Sequence, residues 1–414
     1  MSRPARSATL LLAVASVTLV ACHRGAAAAA PAPSASPTVQ SIATAGPAMA
    51  ARPTLATPVG GARLPDSLPD STWWRMIVDM SEPGGWFRSE NFVSNEMGLQ
   101  HVIARLRTIA PPGGVYVGVG PEQNFTYIAA LEPRIAFIVD IRRQNLLQHL
   151  WYKAVFELSP TRAEFLARLF GRPLPADAAT SLTWSSDSIM QRLERTAPDT
   201  AFFRRTFAEV RTHLLQTKRM ALDSSDLATL AYVDSVFFLS GPSLNYSSGS
   251  GNGGSFGRGF GRGMPSFSQI ARTTDSAGAN LGFLGTERGY GIVREMERRN
   301  LIVPLVGNFA GPKALRAVGS WLRERSAFVH VFYTSNVEQY LFQQGDEWSR
   351  FYANVGAMPV DPAARFIRSS TGGFGFRSNG FMMTQLTSGI DEIVKGAAEG
   401  ALGGYWDVLR RSVP

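Results

Sequence analysis

The sequence predicts an α/β fold: a mostly parallel sheet with flanking helices and an inserted helical subdomain. Three observations predict it. Residues Gly114 to Arg143 run as an apolar stretch, a glycine turn, a helix-compatible stretch and a second apolar stretch closed by an acid. Leu301 to Leu341 repeats the alternation of apolar run, helical pattern and apolar run. Between them, Ser159 to Asp234 is helical and polar-faced, broken at Pro160, Pro173 and Pro175. Strands separated by helices need right-handed crossovers, and such crossovers build a parallel sheet.

In the first unit, Val115-Tyr116-Val117 is the strand and Gly118-Val119-Gly120 the turn. Asn124 to Leu131 is the helix, and Ile135 to Val139 the next strand, ended by Asp140, 20 residues past Gly120. In this layout a nucleotide-type cofactor is held at the carboxyl edge of a parallel sheet. Glycine lets the backbone approach a ligand where a Cβ would clash, and Asp140 can accept both hydroxyl protons of a ribose. The third glycine of a dinucleotide fingerprint is absent; its place falls to Gln123, beside Glu122. Glu122 would repel a diphosphate and tolerate a cofactor carrying positive charge. The plainer alternative is that the two glycines only turn a tight loop and Asp140 caps the following helix.

These residues resemble the cofactor-binding start of class I S-adenosylmethionine-dependent methyltransferases, a Rossmann-like fold in which a Gly-x-Gly loop follows the first strand and an acid ends the second. The match is close over the 30 residues of Gly114 to Arg143 and looser over Leu301 to Leu341. The resemblance implies S-adenosylmethionine or a related nucleoside ligand, held by Gly118, Gly120, Glu122, Asn124, Asp140 and Arg142. Asn308 and Ser335-Asn336 sit at carboxyl ends of strands, the edge where α/β ligands bind, and with Asn91, Tyr333 and Glu338 they are the candidate substrate side. Asn308 takes the polar position that ends the fourth strand in that family. The full Asn-Pro-Pro-aromatic pattern is missing there, which argues against amine methylation of the usual kind. Methyl transfer needs an in-line nucleophile and sometimes a base; Glu338, Asp79, Glu90 and Tyr333 are the candidates, and the sequence selects none.

Ahead of the first strand, Thr72 to Met80 is helical and Ser81-Glu82-Pro83-Gly84-Gly85 breaks it. Trp86 to Glu96 then crowds aromatic, charged and amide residues into a turn-rich stretch before a helix expected over Glu96 to Ile109. Burying so many polar groups is costly without partners. The stretch is therefore expected either to fold over the mouth of a site or to satisfy itself. Arg142 to Leu158 has a helical apolar rhythm whose polar face carries Arg142, Arg143, Asn145, His149, Lys153 and Glu157, with His149 expected at the surface or boundary. Pro304 inside an apolar strand predicts a strand start or an irregularity. Ala364 to Ile367 is expected as a strand, Thr384 to Gly400 as a helix, and the WDVLRR stretch as a closing turn.

The amino terminus points elsewhere. Arg3 and Arg6 precede an apolar run, Thr9 to Ala21, that is short for a membrane span. Its end, Leu19-Val20-Ala21-Cys22, resembles the lipobox of bacterial lipoprotein signal peptides, which implies a lipid on Cys22 and a place in the cell envelope, on the periplasmic or surface side. An ordinary secretory signal is the alternative, and a leader that does not act as one would leave the chain in the cytoplasm. The expected organisation is a signal over 1–21 and an Ala/Pro/Ser-rich tether over 22–63, too poor in large apolar residues to fold. The α/β domain starts over 64–158, the helical insertion spans 159–300 with a Gly/Ser-rich loop at 245–263, and the rest of the domain is 301–414.

Cys22 is the only cysteine, so no internal disulfide forms. The five histidines lie at no ligand spacing, and no metal site is expected. Net charge is +9, almost wholly from dispersed arginines, with only Lys153, Lys218, Lys313 and Lys395 as lysines. A nucleic-acid binder would concentrate that charge on one element; Arg258 and Arg262 in the Gly-rich run are too few, and no nucleic-acid partner is expected. Neither a Gly-x-Ser-x-Gly elbow nor a phosphate loop is present. Two functions remain: a methyltransferase-like protein binding S-adenosylmethionine or a related nucleoside, or an exported lipoprotein using a degenerate form of that fold for non-catalytic ligand binding or interaction.

Overall fold

The computed structural model describes residues 63–110, 113–174, 178–249, 264–371 and 383–414. The leader, Cys22, the tether and residues 250–263 of the Gly/Ser-rich run, with Arg258 and Arg262, lie outside the described residues. Six strands form one sheet: β1 (Val115–Gly118), β2 (Ile135–Asp140), β3 (Ile302–Val306), β4 (Val329–Ser335), β5 (Val360–Thr371) and β6 (Met383–Gly389). Their order is β3-β2-β1-β4-β5-β6. Every pairing is parallel except the last, where β6 runs antiparallel to β5. The mixed α/β architecture is therefore the Rossmann-like one read from the sequence. The order reverses between β1 and β4, so their carboxyl ends part and leave the crevice in which such sheets bind ligands.

The sheet is buried on both faces, as parallel strands require: every side chain of β1, β2 and β3 is buried. Helix α1 (Asp70–Met80) lies along the β3 edge, where Trp73 Nε1 donates to the Ile302 carbonyl at 2.9 Å. Just past it, the Glu82 N–H donates to the Val306 carbonyl at 2.8 Å. Pro304 sits mid-strand on this edge, paired with Ile138. By the two-residue period its missing N–H lies on the outward side, facing α1, where no ladder bond is lost. The strand ending before Asn308 is thus the third and sits at the sheet edge. The fourth, beside β1, ends at Ser335, so Asn308 does not end the fourth strand as expected.

Helices α2 (Ile103–Ile109), α3 (Gln123–Leu131) and α4 (Arg143–Leu158) follow the expected order. The helix expected from Glu96 starts only at Ile103. The residues before it are held by side-chain bonds across the fold: Glu96 is tied to β4 and β6, and Gln100 to Thr273. The insertion contains α5 (Arg162–Phe170), α6 (Ser186–Arg195), α7 (Thr200–Thr212), α8 (Ser224–Ser240) and the short α9 (Phe267–Ala271). Thr161 and Glu164 form a capping box at the start of α5, and Gly171 ends it at φ +60°. Insertion and sheet domain share one core. Phe156 of α4 stacks on Phe165 of α5 with centroids 4.3 Å apart, and Trp151 lies 4.6 Å from Phe237 of α8.

That packing overturns the polar-face reading of α4. Asn145, His149 and Lys153 are buried, because the insertion, α10 (Glu287–Arg298) included, covers the face meant for solvent. Lys153 is satisfied by Glu157 at 2.8 Å and by the Glu297 carbonyl. Glu157 also pairs with His213 at 2.7 Å and Lys218 at 3.0 Å.

Beyond β3 come α11 (Ala314–Arg323), α12 (Val337–Leu341), α13 (Glu347–Gly356), α14 (Ile390–Ala398) and α15 (Tyr405–Arg410). The helix expected over Thr384 to Gly400 is half strand: β6 occupies Met383–Gly389 before α14 starts. Its polar residues are buried and used, with Gln385 bonded to Glu96 and Ser388 to Arg368.

Beneath the β4 end lies a charged pair without exposure. Arg368 and Glu338 are both fully buried and joined through Nε–Oε2 and Nη2–Oε1 contacts of 2.5 and 3.1 Å. Tyr352 and Thr334 hydroxyls donate to the same carboxylate at 2.7 and 3.0 Å. Removing one partner of such a pair strands the other charge in apolar surroundings. Arg368→Met is expected to lower stability by about 3–5 kcal/mol in a urea melt, and adding Glu338→Gln should restore a large part. A single variant as stable as wild type would show that the pair holds nothing.

Candidate functional site

The crevice at the switch point is a cavity of about 180 Å³. The turn after β1 forms one wall through Val119, Gly120 and Gln123, and the end of β2 another through Asp140, Ile141 and Arg142. Gly307, Asn308 and Phe309 follow from β3, and Ser335, Asn336 and Tyr340 from β4 and α12. The loop before β1 closes the mouth with Trp86, Phe87, Asn91, Ser94, Asn95 and Glu96. Of the two expectations for that loop, the structure shows it lying over this cavity.

Gly120 occupies φ +80°, and a Cβ there would come within 2.7 Å of the Gln123 amide. The position therefore needs glycine on both counts. The bend is held from below. Asn124 donates to the carbonyls of Val119, Gly120 and Pro121 at 2.9, 3.1 and 2.8 Å and accepts from the Tyr116 hydroxyl at 2.9 Å. Gly118 makes room for this arrangement, since its Cβ would sit 2.1 Å from the Asn124 oxygen. His149 Nε2 lies 2.9 Å from the Gly120 carbonyl, which can only accept, so Nε2 carries the proton. Burial pushes its pKa down to about 4, and it is neutral at physiological pH.

Several predicted ligand residues are therefore structural. Gly118 and Asn124 shape the turn from inside and do not line the cavity. Glu122 faces the other way, into a smaller pocket with Gln100, Thr126 and Phe283, and accepts the Ser94 N–H at 2.9 Å. Tyr333 lies beneath the floor, its hydroxyl donating to Glu96 at 2.7 Å, and Glu338 is locked to Arg368. As bases, Tyr333 and Glu338 are thus removed from the cavity. Asp79 is exposed on α1, and Glu90 does not line the cavity. Gly120, Asp140, Arg142, Asn91, Asn308, Ser335 and Asn336 do come together there.

Asp140 faces the cavity but is not a free carboxylate. Arg142 grips it through Nε–Oδ1 and Nη2–Oδ2 bonds of 3.0 and 2.9 Å, and the Arg142 N–H adds a third at 2.9 Å. The guanidinium also donates to the carbonyls of Ser89 and Glu90, tying the mouth loop to β2. Three of the roughly four acceptor positions of the carboxylate are thereby occupied, and a sugar hydroxyl would share what remains.

The group that sequence reasoning missed is Glu96. It lines the cavity at 2% exposure, with Oε1 accepting from Tyr333 and Ser335 and Oε2 accepting from Gln385. Its signal was its place in the polar stretch Trp86 to Glu96, but nothing local says that it reaches β4 and β6. Among the described residues, no three His, Cys, Asp or Glu side chains gather as a metal-ligating group.

Residues 91–226 and 265–391 match the model of a family described as a domain of unknown function, DUF7790. The chain belongs to the DUF7790 family. No curated protein matches it. The DUF7790 match includes Asn91, Glu96, Gly120, Asp140, Asn308 and Ser335, and it stops short of Trp86 and Phe87. Tyr246, which also lines the cavity, falls in the gap between the two matched stretches.

Glu122 has a measurable signature. Burial raises its pKa to about 8, against a weaker opposing effect of the Ser94 N–H. Above the ordinary carboxylate range the unfolded chain binds fewer protons here than the folded one, so this group makes stability fall as pH rises from about 4.5 to 8. Glu122→Gln should abolish that contribution: its melting temperature, relative to wild type, is expected to rise between pH 5 and pH 8. A constant difference across that interval would contradict a neutral buried acid.

Proposed function

We propose that the cavity binds a nucleoside-bearing small molecule of the S-adenosylmethionine type, and that the protein is methyltransferase-like. The observation that carries this reading is the convergence of Gly120 and Asp140 on one cavity at the point where the strand order reverses. Charge adds to it. The lining holds three carboxylates, Glu96, Asp140 and Glu347, against one guanidinium, Arg142. Such a wall opposes a diphosphate and suits a ligand with net positive charge, such as a sulfonium. The residues fit the group: Gly120 permits close approach of backbone, Gln123 Oε1 is buried without a partner, and Phe87, Phe309 and Tyr340 offer apolar faces. Gly120 and Gln123 would hold such a ligand, with Asp140 toward its hydroxyls and Arg142 fixing that carboxylate in place. When bound, the sulfonium would supply an activated methyl group. On the protein side, the mouth loop would cover the bound ligand.

Calorimetry tests the reading directly. The protein is expected to bind S-adenosylmethionine and S-adenosylhomocysteine, with Asp140→Asn weakening both roughly tenfold, the value of a hydrogen bond to a charged group. The intact protein binding neither would sink it.

The leader favours a second reading, in which the protein sits in the cell envelope and binds another ligand without transferring a methyl group. S-adenosylmethionine is made and used in the cytoplasm, whereas Leu19-Val20-Ala21-Cys22 is lipobox-like. Cells fed a palmitate analogue should label the wild-type chain and leave Cys22→Ala unlabelled; equal labelling, or none in either, removes this reading.

A further inference from the structure

Asp140, the acid that first draws notice, is neutralised by Arg142, yet Glu96 in the same cavity has no cationic partner among the described residues. All three bonds to Glu96 come from neutral donors: two hydroxyls and one amide. A carboxylate can accept about four hydrogen bonds, which leaves one acceptor position open on Oε2. Burial at 2% exposure makes an uncompensated charge costly, so a counter-charge brought by a ligand is strongly favoured there.

A second observation points the same way. Two buried polar atoms of the lining have no partner: Gln123 Oε1 and Asn91 Oδ1. Both are acceptors. Gln123 itself is 3% exposed, and its Nε2 is 3.3 Å from the Tyr333 hydroxyl, which in turn donates to Glu96. Unmet acceptors in the wall that holds this carboxylate suit a small cation with several N–H donors. A primary ammonium has three donors and one positive charge. The same wall also presents the rings of Trp86, Phe87, Phe309 and Tyr340, and aromatic faces stabilise cations and the bodies that carry them.

We infer that the cavity has a subsite for a primary ammonium group, formed by Glu96 and Gln123, and that its ligand is an amine with an apolar or aromatic body. This deepens the function proposed for the same cavity and rests on its being a ligand site. The ammonium has two sources: the amino-acid end of the nucleoside ligand, or a separate amine substrate. Their shared chemistry is what Glu96 reads.

Three calorimetric probes separate the possibilities: methylthioadenosine, a nucleoside with no ammonium; S-adenosylhomocysteine, the nucleoside with one; and phenethylamine, an aromatic amine with no nucleoside. At least one amine probe is expected to bind wild type and to lose roughly tenfold or more in Glu96→Gln. Methylthioadenosine, if it binds, should not change. Loss confined to S-adenosylhomocysteine assigns the subsite to the ligand's own amino end, and loss with phenethylamine assigns it to a separate amine. Phenethyl alcohol, the neutral counterpart, should not bind.

Gln123→Leu removes the unpaired acceptor while leaving the Glu96 bonds from Ser335 and Gln385, and should weaken the same amine probe by a smaller factor. It guards against misfolding of Glu96→Gln, which a thermal melt would reveal. Amine probes that bind both variants as well as wild type, or no amine binding to wild type at all, overturn the inference. Failure of methylthioadenosine and S-adenosylhomocysteine together overturns only the nucleoside reading, since phenethylamine binding that depends on Glu96 would stand without it.

Discussion

Everything at the carboxyl edge depends on how Asn124 holds the bend after β1. Its amide bonds three successive carbonyls, from Val119 to Pro121, and its oxygen takes the Tyr116 hydroxyl from the strand beneath. A backbone carrying three inward carbonyls would be costly to bury without such a partner. With it, the turn can adopt the left-handed φ of Gly120 and present a bare edge to the crevice. Neutral His149 adds a further donor to the Gly120 carbonyl from α4. The cavity is therefore shaped by a second layer of polar residues that never touch it.

That layer explains what could and could not be read from the chain. The strand, turn, helix, strand and acid of Val115 to Asp140 were legible because each depends on local pattern: apolar runs, glycines and a fixed spacing. The roles of Glu122 and Asn124 were not. Being next to the glycines made both look like ligand groups, yet the helix that starts at Gln123 turns Glu122 toward Gln100 and Asn124 under the bend. Glu96 is the reverse case. It stands far from the glycines in sequence and reaches the cavity only because the pre-β1 segment is pinned to Tyr333, Ser335 and Gln385.

The same limit governs the fold. Strand β6 reads Met-Thr-Gln-Leu-Thr-Ser-Gly, with neither apolar face clean, and only pairing with β5 makes it a strand. The polar side of α4 looked like a solvated face because the covering helices lie many residues away. Once they pack, Lys153 is held over the Trp73 ring at 4.7 Å and anchored by Glu157. The rank of the strand before Asn308 was hidden for a related reason: position in the sheet is set by neighbours, and the local pattern of Leu301 to Val306 does not say that it is the third strand and lies at the edge.

Two carboxylates in one cavity have been given opposite environments, and the difference bears on what the cavity can hold. Asp140 meets a guanidinium in a two-point grip, so its charge is already answered and it offers a ligand hydrogen-bond acceptance more than attraction. Glu96 meets only neutral donors, so its field reaches the cavity unopposed at close range. The buried phenols of Tyr116, Tyr127 and Tyr333 register that field: burial first, and Glu96 next, hold each well above the ordinary phenol range. They stay protonated, and the Tyr333 proton points at Glu96. Under the proposed function, a site arranged in this way would separate two tasks, orienting hydroxyls at the β2 side and attracting positive charge at the β4 side. A ligand that carries both features, or two ligands that carry one each, would span the switch point.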